Sequence, residues 1–168
     1  MSASKVALVT ASICIVFLAV SPVQAFTAKD LTITLDQNGN ADVIMKYELS
    51  VPEYFAVFLR VADPKAELTR ALDSSLGKEV TVKSFESNSA HVAIPSFAQV
   101  SNGSGIPMMT SPRMSFAHAQ ETVEQYWFAA LISPDFSPEM TKVVFPDGFT
   151  AGFSDEMTIP SVSHALRY

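Results

Sequence analysis

A run of apolar residues from Val6 to Val20, broken only by Thr10 and Ser12, opens this chain and decides what the remainder must fold without. Lys5 places a positive charge before it, Ser21-Pro22 ends any helix after it, and Val23-Gln24-Ala25 puts a small residue at the exit. That is the three-part pattern of a secretory signal, with cleavage expected after Ala25. The alternative is an uncleaved anchor through residues 6–23, because a spanning helix needs roughly 17–25 apolar residues. The chain's single cysteine, Cys14, sits inside the run behind Ile13, where a lipoprotein signal wants a small residue, so no lipid attachment is expected. The expected exported domain, residues 26–168, then contains no thiol. It must be held by a hydrophobic core, without disulfides or cysteine-ligated metal. Its length is ample for one such core.

Charge narrows the partners. The whole chain carries 11 Lys and Arg against 17 Asp and Glu, a net −6, and loss of Lys5 makes the domain more negative still. Nucleic acid is excluded as a partner, since its recognition calls for a basic patch. A membrane is expected only through an uncleaved N-terminus. The acids are spread singly, which describes a solubilising surface and not an interaction tail.

Along the chain, Leu31 to Leu35 (LTITL) alternates apolar and polar, and Ala41 to Leu49 (ADVIMKYEL) is rich in β-formers. Between them Asp36-Gln37-Asn38-Gly39-Asn40 tolerates positive φ, so the pattern predicts a hairpin. Pro52 then begins a helical face of Tyr54, Phe55, Phe58, Leu59 and Ala62, and Asp63-Pro64 begins a second one with Leu68, Ala71, Leu72 and Leu76. Val80 to Phe85 and Ala90 to Ile94 read as a second hairpin stopped by Pro95. Residues 96–112, rich in Ser, Gly, Pro and Met, read as one long loop. Over residues 115–132, Phe116, Ala119, Val123, Trp127, Ala130 and Leu131 match a helical face, although Tyr126-Trp127-Phe128 favours strand. Thr141 to Phe145, a Pro146-Asp147-Gly148 turn, and Phe149 to Phe153 predict a third hairpin, and a short strand runs through Met157 to Ile159.

The candidates for chemistry are few. Asp36, Asn38, Asn40 and Asp42 have the alternate spacing of a calcium loop, but Ala41 stands where glycine is wanted and Tyr47 where a glutamate is wanted. A hairpin turn accounts for the same residues. The histidines are His91, His118 and His164, and no two have ligand spacing. The weak metal or hydrolase candidates are His91 and His164 with Asp147 and Asp155. No Gly-x-Ser-x-Gly elbow, phosphate loop or dinucleotide fingerprint occurs, and Glu121/Glu124 and Asp155/Glu156 read as solvated surface acids. The long loop offers Ile106, Met108 and Met109 as apolar contact residues, and Asn102-Gly103-Ser104 is a formal N-glycosylation acceptor.

The tail Phe145-Pro146-Asp147-Gly148, Phe153 and Ile159-Pro160-Ser161-Val162-Ser163-His164, after Asp135-Phe136-Ser137-Pro138, resembles short exported or membrane-anchored archaeal proteins of unknown function. These begin with a signal or anchor and a β-hairpin like that at residues 31–49. The resemblance implies a cell-envelope role and no activity.

The expectations are therefore a signal or anchor over residues 1–25 and a single exported α+β domain over residues 26–168. In that domain antiparallel hairpins form one sheet, with two to three helices packed on one face. Phe55, Phe58, Leu72, Val123, Trp127 and Phe145 are expected in the core. The expected role is non-enzymatic: binding an envelope protein or a surface polymer, secreted or extracytoplasmic, with no cofactor. The alternative is an extracytoplasmic metal-binding protein or hydrolase using His164 or His91 with Asp147 or Asp155.

Overall fold

In the computed structural model, residues 26–49, 65–66, 69, 72–73, 78–102, 105–117, 120–121 and 135–167 are described. The first strand, β1 (Phe26–Leu35), alternates as its sequence does: Ala28, Leu31, Ile33 and Leu35 are buried while Asp30 and Thr34 face out. It pairs antiparallel with β2 (Ala41–Leu49), Ile33 opposite Val43 and Leu35 opposite Ala41. Fully burying a side chain such as Ile33 contributes about 1.5–3 kcal/mol over leaving it exposed. The register slips between Ala28 and Asp30, leaving Lys29 as the extra residue of a bulge. Its ammonium reaches the carboxylates of Glu139 and, at 3.4 Å, Glu48.

Four further strands complete this sheet: β3 (Thr81–Phe85), β4 (Ser89–Ile94), β8 (Met140–Val144) and β9 (Thr150–Phe153). Their order is β3-β4-β2-β1-β8-β9. Neighbours are antiparallel except β1 and β8, which run parallel with Leu31 beside Thr141 and Ile33 beside Val143. One face carries the core: Leu31, Ile33, Val82, Val92, Ile94 and Val143, joined by Phe145, Phe97, Met109 and Leu166 from outside these strands.

Two small sheets exist besides. In one, β5 (Gln99–Ser101), β6 (Met108–Thr110) and β11 (Ser163–Ala165) lie in the order β11-β6-β5. In the other, β7 (Met114–Ser115) pairs with β10 (Thr158–Ile159).

The α+β expectation is overturned. Strands make up 51% of the described residues and helix only 9%, spread over three sheets that include a parallel pair. The first expected helix, at residues 52–62, lies outside the described residues. Of the second, residues 65, 66, 69, 72 and 73 are helical. Of the third, Ser115 belongs to β7, Phe116 is in neither helix nor strand and packs against the core, Ala117, Gln120 and Glu121 are helical, and the rest lies outside the described residues. Residues 96–112 are not one loop either, because they hold β5, β6 and the connection between them.

The physical reason is strand length. Each strand of the small sheets has two or three residues, too few to show a period of two. They are strands because partners far along the chain complete their ladders: Met109 pairs with Val100 on one side and with His164 on the other. Leu72 packs against the core and Phe145 is buried, as expected of them; Phe55, Phe58, Val123 and Trp127 lie outside the described residues.

The β1–β2 and β8–β9 hairpin turns share one construction. Gly39 donates its N–H to Asp36 O and Asp36 donates to Asn40 O; Gly148 donates to Phe145 O and Phe145 donates to Phe149 O. Both glycines have positive φ, +80° and +88°, the left-handed residue that ends a three-residue hairpin loop. Because β1 and β8 are parallel, the two turns lie at the same end of the sheet.

Gly39 is needed for a second reason. A Cβ there would lie 2.3 Å from Ala98 O, and Ala98 N donates to Gly39 O at 2.8 Å. Gly39→Ala is expected to cost about 1–3 kcal/mol for the left-handed backbone alone, with displacement of residue 98 in addition. Chemical denaturation checks it; a midpoint equal to the wild type's would show that the turn rearranges freely.

Thr141 presents the opposite case. It is 1% exposed in β8, and its hydroxyl has no hydrogen-bond partner among the described residues. An unsatisfied buried hydroxyl is costly, and valine has nearly the same shape. Thr141→Val should raise stability by about 1 kcal/mol, read as a higher urea midpoint at unchanged slope. A lowered midpoint would mean the hydroxyl is satisfied in solution.

Candidate functional site

The three-stranded sheet spans the two hairpin tips. At its β5 edge, Ala98 binds Gly39 through the backbone, and Val100 approaches the same glycine. At its β11 edge, the chain meets Asp147 of the Pro146-Asp147-Gly148 turn. Between them Met109, on the central strand β6, is fully buried.

Asp147 gathers three donors. His164 Nε2 lies 2.8 Å from its Oδ2, Arg167 N donates to the same oxygen at 3.0 Å, and Phe149 N donates to Oδ1 at 3.2 Å. The Arg167 backbone N–H, then the His164 hydrogen bond, hold the carboxyl at about 2, well below its ordinary 3.8. The imidazole is bracketed by rings: Phe149 stacks on it at 4.0 Å and 10°, and Phe145 meets it edge-on at 5.3 Å. Just beyond, Leu166 is buried and donates its N–H to Pro107 O. Asp147 thus fastens the C-terminal strand to the tip of the β8–β9 hairpin.

The linkage has a definite sign. A carboxyl whose folded pKa is depressed contributes stability that is complete above its unfolded value and is lost as pH falls through the folded one. For Asp147 that window runs from 3.8 down to about 2. Asp147→Asn is therefore expected to melt below the wild type at neutral pH, the gap closing across that window. A gap independent of pH would show that the charge on Asp147 is not what fastens the strand.

A second cluster lies on the opposite face of the large sheet. Asp42 Oδ1 accepts from Lys83 Nζ at 2.5 Å, and His91 Nε2 lies 2.8 Å from both carboxylate oxygens. The Lys83 hydrogen bond, against some burial, keeps the Asp42 carboxyl below its ordinary value, and His91 adds to this. The contacts follow from register. Asp42 and His91 lie on neighbouring strands β2 and β4, and Lys83 sits at the irregularity of β3 between Val82 and Ser84.

Of the four weak candidates, the structure joins His164 to Asp147 and gives His91 another partner, Asp42. Asp155 stands apart in the turn after β9, with φ +54° and its N–H toward Pro138 O and Glu139 O. His118 lies outside the described residues. Among the described residues no three His, Cys, Asp or Glu come together to hold a metal.

The calcium-like spacing resolves as a turn. Asp36 Oδ1 accepts from Asn38 N and Asn40 N and its Oδ2 from the Asn40 amide, each at 2.8 Å. Asp42 meanwhile faces Lys83 and His91. Burial pushes the Asp36 carboxyl up, but the hydrogen bonds from Asn40, Asn38 and Gly39 outweigh it and hold it low.

The contact trio Ile106, Met108 and Met109 is split. Ile106 is 55% and Met108 41% exposed, while Met109 is fully buried and belongs to the core. Alternation along a strand separates the two methionines, since successive side chains point to opposite faces. Lys83 and the backbone N–H groups of Arg167 and Phe149 were the partners the sequence did not disclose. Aspartate inside a Pro-Asp-Gly turn was the available signal, because its carboxylate commonly caps nearby N–H groups.

No helix among the described residues is long and apolar enough to cross a membrane. No protein-family model matches the chain, and neither a curated protein nor a solved structure matches it. What the fold and site define is a β-rich domain of mixed sheets in which, among the described residues, one histidine–aspartate pair stands on the large sheet and another joins the β8–β9 turn to the small sheet.

Proposed function

We propose that this is an exported, extracytoplasmic β-domain with a non-enzymatic role, binding an envelope protein or a surface polymer through the outward side of β6. The observation that carries the reading is the contrast within that strand. Met109 anchors it in the core, and beside it Met108, with Ile106 just before the strand, stands in solvent. Around them Ser101 and Ala165 flank Met108, and Thr110 Oγ1 and Ser163 Oγ lie 2.9 Å apart. Exposed apolar groups bordered by hydroxyls are what a partner takes up. The leader-like residues 1–25 support the location.

The test is a photo-crosslinking residue placed at 108, or at Thr34 on the far face as control, in the full-length chain. With native envelope present, a discrete adduct is expected from position 108 and none from 34. Equal labelling at both positions would remove the β6 surface from consideration.

Ile106→Ser with Met108→Ser should abolish the adduct from a crosslinker moved to Ser101. Surface changes of this kind alter stability by roughly 0.5 kcal/mol or less, so the melting temperature should stay near the wild type's.

The alternative, a metal-binding protein or hydrolase, has one observation in its favour, the 2.8 Å contact between His164 and Asp147. Against it, Asp147 also holds two backbone N–H groups, and aromatic rings lie against the imidazole. Stoichiometric metal in protein purified without added ions, lost on His164→Gln, would favour that reading.

A further inference from the structure

We infer that Met108 is a site of reversible oxidation, at which a hydroperoxide turns the thioether into a sulfoxide and so withdraws the β6 surface from its partner. The second step rests on the binding role proposed above. The chain has seven methionines, of which Met1 belongs to the expected leader. The other six differ in how far a reagent reaches them. Met109 is fully buried, Met45 and Met114 pack against the core, and Met140 and Met157 are half-buried. Met108 alone of the six is exposed, at 41%.

Its neighbours keep it open. The ladder partners of Met108 are Ser101 on β5 and Ala165 on β11, whose side chains are too short to cover a thioether. Successive side chains of a strand point to opposite faces, so Met109 holds β6 in the core while Met108 stands in solvent. The other apolar member of the patch is Ile106, a hydrocarbon that peroxide leaves unchanged. The expected exported domain has no thiol to compete for the reagent, since Cys14 lies in the leader. A sulfoxide is polar where the thioether was apolar. Its oxygen is a strong acceptor, which an apolar partner surface would desolvate without pairing.

The transfer balances with one co-reactant. A sulfur lone pair attacks one oxygen of the hydroperoxide, the sulfur–oxygen bond forms and the oxygen–oxygen bond breaks. With hydrogen peroxide, the departing oxygen keeps the electron pair, takes up the proton of the transferred oxygen and leaves as water. Sulfur is oxidised and the peroxide is reduced. A methionine sulfoxide reductase reverses the change, with a dithiol oxidised to a disulfide and the oxygen released as water.

The experiment treats the purified full-length protein with limiting hydrogen peroxide and follows each methionine by mass spectrometry. Fragment masses separate Met108 from Met109. Oxygen is expected on Met108 first, at least about tenfold faster than on Met109, which is reached only when the strand opens. In urea the two should react alike. After removal of peroxide, the protein with a crosslinker in place of Ser101 is offered to native envelope. The adduct should be lost on oxidation and return after the reductase, with the melting temperature unchanged. In Met108→Leu it should survive the peroxide.

Met109 oxidised as fast as Met108 in the folded protein would overturn the site. Sulfoxide on Met108 with an undiminished adduct overturns the withdrawal of the surface and leaves the binding role standing. No adduct from untreated protein removes the binding role and the withdrawal together. Loss of the adduct from peroxide-treated Met108→Leu places the sensitive group elsewhere and also overturns the inference.

Discussion

Phe145→Ala should cost about 3–5 kcal/mol of folding stability, the range for removing a buried phenylalanine ring. Against total stabilities of about 5–15 kcal/mol for domains in general, that is a large share, and a melting temperature lower by about 10 °C or more is expected. The reason lies in position. Phe145 is 2% exposed at the junction of β8 with its turn, where it meets Phe149 at 5.7 Å and the edge of His164 at 5.3 Å. Losing the ring opens a cavity beneath the contact that joins the small sheet to the large one.

Phe145→Leu retains most of the volume and should cost much less, roughly 1–1.5 kcal/mol. Thermal melts of the three proteins decide the matter. An alanine variant that melts within a degree of the wild type would mean that this ring is not at the centre of the packing.

Much of the large sheet was legible from residue order. Strands β1, β2, β3, β4, β8 and β9 each have four to ten residues, enough for alternation or β-branched enrichment to register. Their turns announced themselves through Asn38-Gly39 and Pro146-Asp147-Gly148. What residue order does not carry is which hairpins become neighbours. Leu31 lies beside Thr141 in a parallel pair, and no local pattern encodes a contact across that separation.

The start of the third helical segment was misplaced for a related reason, although Ala117, Gln120 and Glu121 beyond it are helical. Apolar residues at spacings of three and four fit a helical face, yet Ser115 is drawn into β7 by its partner Thr158. Tertiary pairing overrides local preference where segments are short. In the candidate site, residue order offered His164 or His91 with Asp147 or Asp155 and gave no ground for choosing among the four combinations. The union of His164 with Asp147 depends on β11 crossing to the tip of the β8–β9 hairpin, which only the folded chain shows.

Met109→Ser and Met108→Ser, one position apart, should differ by most of the stability attached to a buried side chain. Met109 is fully buried between Val100 of β5 and His164 of β11, on the strand that ties the two edges of the small sheet together. Cutting it to a small polar group creates a cavity and leaves a hydroxyl to satisfy, at about 2–5 kcal/mol. Met108, 41% exposed on the other face of the same strand, should change stability by roughly 0.5 kcal/mol or less.

A urea titration of each variant reads the difference directly. If both are destabilised alike, Met108 is also covered in solution, and the outward side of β6 is not free for a partner. If neither is, the small sheet does not depend on Met109 for its hold on the two hairpin tips. The fastening must then rest on the backbone bond between Ala98 and Gly39 and on the donors gathered by Asp147.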